Sequence, residues 1–144
     1  MKKCLQTIVV LAASLLAVSA AGAGDFDGTR PLLVSVIRAV ECTPDGACRE
    51  VSLESLELPQ FMKIDFDTQR IGPAAAGDET PVTPIERQEV VDGKLILQGA
   101  EDGYVKMRDG LGWTMSISEK TGQVVLTASG EEVAFVVFGA ALPL

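Results

Sequence analysis

Apolar and polar residues alternate with a period of two along most of the chain beyond residue 30, the spacing of strands that bury one face. Over 32–40, Leu32, Val34, Val36 and Val40 fall on one face, and Ser35 and Ala39, with the following Glu41, on the other. A return strand is expected over 47–51. Ser52, followed by Glu54 and Glu57, predicts a single capped helical turn that Pro59 stops. Over 61–67, Met62, Ile64 and Phe66 oppose Lys63 and Asp65, and Asp67-Thr68-Gln69 supplies a turn. Residues 72–84 carry Pro73, Pro81 and Pro84 and read as a long surface loop. Segments 85–91 and 94–98 flank Asp92-Gly93, both of which tolerate the positive φ of a type I′ hairpin turn. Segments 111–118 and 123–128 then flank Glu119-Lys120-Thr121-Gly122, and Ser129-Gly130 leads into 133–138.

These segments predict an all-β chain of eight or nine strands with one short helical turn. Tight sequential hairpins favour an antiparallel meander closing as a small up-and-down, lipocalin-like barrel of about eight strands. A β-sandwich is the alternative and usually needs long crossovers. Closure predicts that 32–40 pairs with 133–138, because these two strands are the most apolar and would aggregate as open edges.

The first 23 residues change the picture of where the chain goes. Lys2 and Lys3 precede the apolar run 8–18, and small residues end in Ala21-Gly22-Ala23, the order of a cleavable signal peptide. The expectation is cleavage after Ala23, leaving one all-β domain over 24–144 that is periplasmic or secreted. The 11-residue run is short against the roughly 20 that a membrane-spanning helix needs, so no stable membrane insertion is expected after cleavage. Cys4 precedes the apolar run and leaves with the signal. Cys42 and Cys48 remain, flanking Thr43-Pro44-Asp45-Gly46-Ala47, and an even pair around a turn in an exported chain reads as a disulfide. A reactive dithiol is the sharper alternative, but its usual Cys-x-x-Cys spacing is missing.

Charge and composition narrow the chemistry. The chain has 12 basic and 20 acidic residues, a net charge of −8, which falls to −10 once Lys2 and Lys3 are removed. So acidic a surface repels phosphate backbones, and nucleic acid is not an expected partner. The absence of histidine excludes Ser-His and Cys-His catalytic systems and His-containing zinc sites. Two Asp-Phe-Asp segments, at 25–27 and 65–67, lack the further acidic positions of a calcium loop and read as turn caps and ion-pair partners. Glu86, Glu89, Glu101 and Asp102 supply carboxylates without a spacing that selects an acid and base pair. No catalytic residue, metal site or cofactor is therefore assigned.

The stretch 104–113 stands out, with the only Tyr (Tyr104), the only Trp (Trp113), Met107, Lys106 and Arg108, and Met115 just beyond. Trp113, Met115 and Ile117 share a face, so in a barrel they point inward. Trp113, Met115, Tyr104 and Arg108 are the candidate ligand-binding residues, for an apolar or anionic ligand at the open end. The plainer reading is that Trp113 and Met115 fill the core while 104–110 forms a hairpin tip.

Four segments carry a resemblance: Leu58-Pro59-Gln60-Phe61, the hairpin Val90-Val91-Asp92-Gly93-Lys94-Leu95-Ile96-Leu97-Gln98-Gly99, Gly112-Trp113-Thr114-Met115 and Phe135-Val136-Val137-Phe138-Gly139. Together they resemble a family of small exported bacterial proteins of unknown function. The resemblance implies a β fold and no activity, and it carries over no functional residue. It also associates further cysteines with the positions of Val34 and Ala141, where this chain has none.

The expected function is a periplasmic, non-catalytic β-barrel protein that binds a small apolar ligand or an envelope protein. An inhibitor or accessory protein acting through the loop 72–84 is the alternative, and a carboxylate-based hydrolase a distant third. A roomy apolar interior favours the first, and a filled interior with a rigid exposed loop favours the second.

Overall fold

Among the described residues ten strands follow one another along the chain, against the eight or nine that the alternation predicts. The computed structural model describes residues 24–75, 77, 81–103 and 110–144. The strands are β1 (Leu32–Cys42), β2 (Cys48–Val51), β3 (Phe61–Asp65), β4 (Arg70–Pro73), β5 (Thr83–Pro84), β6 (Arg87–Val91), β7 (Lys94–Glu101), β8 (Leu111–Ser118), β9 (Gln123–Ser129) and β10 (Ala134–Pro143). They form one antiparallel sheet in the order β5-β4-β3-β1-β10-β9-β8-β7-β6, curled into a half-barrel, with β2 also paired to β1. Among the described residues the helical content is the single 3-10 turn Glu54–Leu56, as expected, with the Ser52 hydroxyl accepting from the Ser55 N–H.

β1 and β10 pair along almost their whole length, from Leu32 opposite Pro143 to Cys42 opposite Ala134. The predicted pairing of the two apolar ends is therefore present. Val34 and Ala141 are direct partners in this ladder, both buried and facing inward.

The barrel is drawn together at a different place. β5 and β6 lie at opposite ends of the sheet order yet are separated in sequence by only Ile85 and Glu86. The Ile85 N–H donates to Gln69 O on the β4 side (2.9 Å), and the Glu86 N–H donates to Gln98 O on β7 (2.9 Å). One bent strand thus changes partner in mid-course, and the two edges meet through it. β2 and β3 likewise run in the same direction along β1, covering its second and first halves.

The inward face is apolar over the middle of the sheet, with Glu41 and Glu101 at inward positions only near strand ends. Leu97, Met115, Leu126, Val137 and Ala39 make one cross-strand row, and Leu95, Ile117 and Val124 the next. With Leu32, Val34, Met62, Ile64 and Ile71 they form a single core cluster. Phe26, from the segment before β1, packs its ring against the backbone at Gly122 and covers one end of that core. Each fully buried large side chain contributes about 1.5–3 kcal/mol of transfer free energy, which drives the curl.

Two expectations are corrected. In β1 the register shifts between Val36 and Arg38. This bulge inserts Ile37, which is 71% exposed, and reverses the alternation beyond it, so Ala39 is buried (1%) and Val40 turns outward. The loop 72–84 is shorter than expected, because Gly72-Pro73 extends β4 and Thr83-Pro84 forms β5. Prolines are tolerated there at strand ends, where a ladder N–H is not needed.

Candidate functional site

Trp113 occupies the inward row Gly99, Trp113, Ala128, Phe135. Small neighbours on both sides give the indole room to lie flat. A Cβ at Gly99 would come within 2.5 Å of the indole Cζ2 and 2.6 Å of Pro84 O, so the ring and the β5 backbone close over that glycine. The Trp113 Nε1–H donates to Thr83 Oγ1 (3.2 Å), which satisfies the one polar atom of the ring across the seam. Trp113 is 6% exposed and Met115 fully buried. The structure thus brings Trp113 and Met115 together on the inward face, as the alternation predicts, and both are packed. Tyr104 and Arg108 lie outside the described residues.

Over the same strands is an open cleft of about 510 Å³ whose lining includes Gly99 and Trp113 themselves. Its wall is polar, with Arg87, Gln98, Thr114 and Thr127 in one cross-strand row and Ser129 beside Gly112 in the next. Gln98 Nε2 donates to Thr114 Oγ1 (3.3 Å), and Thr127 Oγ1 donates to Thr114 O (3.4 Å). Hydroxyl and amide groups facing solvent in a row can exchange water for the hydrogen bonds of a polar partner. Sequence reasoning missed this row because β6, β7, β8 and β9 contribute one residue each, and only the register unites them. Of the candidate carboxylates, Glu86 lines the cleft, Glu89 pairs with Arg87, and Glu101 ends β7.

The Cys42–Cys48 disulfide is formed between direct cross-strand partners with Cα atoms 4.1 Å apart. The five residues it encloses are ordered from within. Thr43 N–H donates to Ala47 O and Gly46 N–H to Thr43 O, both at 2.9 Å. The Asp45 carboxylate accepts from the Thr43 hydroxyl (2.6 Å) and the Ala47 N–H (3.2 Å). Those bonds, the Thr43 hydroxyl first, hold its pKa below the ordinary carboxylate value. Ion pairs Arg49–Glu41 and Arg38–Glu50 flank the hairpin.

No family model, curated protein or solved structure matches the chain.

The two Asp-Phe-Asp segments behave as turn caps. Asp27 accepts from the Thr29 hydroxyl and N–H, and Asp25 pairs with Arg30. Asp65 accepts from the Thr68 N–H (3.0 Å) and pairs with Lys63. These contacts lower the pKa values of Asp27 and Asp65.

Proposed function

We propose that this is an exported, non-catalytic β-barrel-like protein that binds an envelope protein on its outer surface, at the polar cleft over β6 to β9. The observation that carries this reading is the packing of the inward faces into one apolar cluster to which Trp113 and Met115 belong. An apolar ligand entering there would have to displace packed side chains, whereas the open cleft offers hydrogen-bonding groups, the chemistry of a polar partner surface. A packed apolar inside is also the reverse of the polar interior of a membrane-spanning barrel, which favours action in the aqueous envelope. Export is supported by the signal-like leader and by the disulfide, a bond that persists in oxidising compartments.

Photo-crosslinking in the native cells tests the reading. A photoreactive residue at Thr114 or Thr127 is expected to yield one discrete protein adduct, and the same residue at Ser52 none. Equal labelling from all three positions would overturn it.

A second reading rests on the 42–48 hairpin, which is exposed, cross-linked and internally hydrogen-bonded. Such a loop presents a fixed backbone to a partner at small entropic cost, as an inhibitor does. The inhibitor alternative therefore moves from 72–84 to 43–47, and a discrete adduct from Asp45 with none from Thr114 would favour it.

A further inference from the structure

The outward positions of β1, β7, β8, β9 and β10 contain none of the chain's 20 acidic residues. On the neighbouring strands carboxylates resume at Asp65 on β3, Glu50 on β2 and Glu89 on β6, with Glu50 held by Arg38, and the turns that end the central strands carry Glu119, Glu131 and Glu132. The middle of this face carries large apolar side chains in the open: Ile37 (71% exposed), Leu142 (62%), Phe138 (42%) and Val125 (39%), with Phe61 (49%) adjoining on β3. Register puts them on three successive rows: Arg38, Phe138 and Val125, then Phe61, Ser35 and Ala140, then Leu33 and Leu142. Five such side chains expose on the order of 500 Å² of apolar surface, in the range where a monomer's largest patch is usually functional.

We propose that this face is where two copies of the chain meet. Charge selects the occupant. Two bodies of net charge −10, the value without the leader, repel each other over most of their surfaces, and approach is easiest where both are poorest in carboxylates. A basic partner would instead be drawn to the acidic flanks, and an anionic membrane would repel the body as a whole. Shape agrees. The bulge residue Ile37 and Phe138 stand as a ridge beside the row of small residues Ser35 and Ala140, which are direct partners in the ladder. Turned by a two-fold axis, the ridge of each copy meets the small-residue row of the other, the self-complementary arrangement of an isologous contact. A stable standard interface buries roughly 800 Å² per partner, so the apolar patch needs its Ser and Thr rim to complete it and the dimer is a weak one.

Sedimentation equilibrium of the purified protein from low to high micromolar concentration tests this, and it needs no envelope partner, so its failure is separate from failure of the proposed function. The expected result is a concentration-dependent dimer that tightens as salt screens the mutual repulsion. Ile37→Glu and Val125→Lys, both at exposed positions, are each expected to raise the dimer dissociation constant by about 10-fold or more, while Thr68→Glu leaves it unchanged. A monomer at every concentration would overturn the proposal. So would a dimer unaffected by both variants, or one that salt dissociates. Binding to vesicles of phosphatidylethanolamine and phosphatidylglycerol by a protein that stays monomeric would give the face to lipid instead.

Discussion

Asp45 shows how much of the local order rests on single side chains. Its carboxylate is held below the ordinary value of 3.8 by the Thr43 hydroxyl and the Ala47 N–H. A depressed folded-state pKa contributes stability above the unfolded value and loses it as pH falls through the folded one. Asp27 and Asp65 act in the same direction. Thermal melts are therefore expected to hold steady above about pH 5 and to fall as the pH drops below 3.8. Asp45→Asn, which cannot titrate, should lose less on acidification than the parent; an identical acid limb would remove the carboxylate from this role. Gly99 is the second decisive residue, for a steric reason. Gly99→Ala forces the indole of Trp113 or the backbone at Pro84 to move, and overpacking of that kind costs about 1–3 kcal/mol. Denaturant unfolding should show that loss together with a shifted Trp113 emission maximum, and an unchanged pair of readings would mean that the approach over Gly99 is not close.

At the scale of elements, alternation and turn chemistry revealed most of the architecture. Trp113, Met115 and Ile117 face inward as their spacing requires, and Asp92-Gly93 has positive φ at both residues (49° and 72°). Alternation failed where a strand breaks step. Nothing in the segment Val36-Ile37-Arg38 announces a bulge, because Ile37 reads as an ordinary strand residue and only the β10 register shows that one position is extra. β4 and β5 were hidden for a different reason: at four and two residues, with Pro73 and Pro84 at their ends, they are too short for a period to be counted. The β1–β2 hairpin was readable from Cys42, Cys48 and the Pro-Asp-Gly turn between them. Its cross-link closes a short loop, so Cys42→Ser with Cys48→Ser is expected to cost about 2 kcal/mol in denaturant unfolding while leaving the far-UV spectrum unchanged. Loss of strand signal in that double variant would mean that the bond organises the sheet and not merely its hairpin.

For the whole molecule, the curl of the sheet sets what each face can do. Switching partners at Ile85 and Glu86 brings β4 and β7 to one strand and encloses the inward residues, leaving a polar cleft and an exposed apolar face on the outside. The polar row Arg87, Gln98, Thr114 and Thr127 and the carboxylate-free face around Phe138 were not visible in the sequence, since both are assembled across strands from residues unremarkable in their own segments. The core was visible, because burial imprints a period on each strand separately. We propose recognition on the outer surface and a structural role for Trp113. This proposal is tested most directly by titrating the protein with a fluorescent apolar probe and with long-chain fatty acids while recording Trp113 emission. The expected result is a blue-shifted emission, typical of a ring packed away from water, that does not change with ligand. Saturable quenching or a saturable shift, abolished by replacing Met115 with a larger side chain, would contradict it and place the binding site inside the barrel.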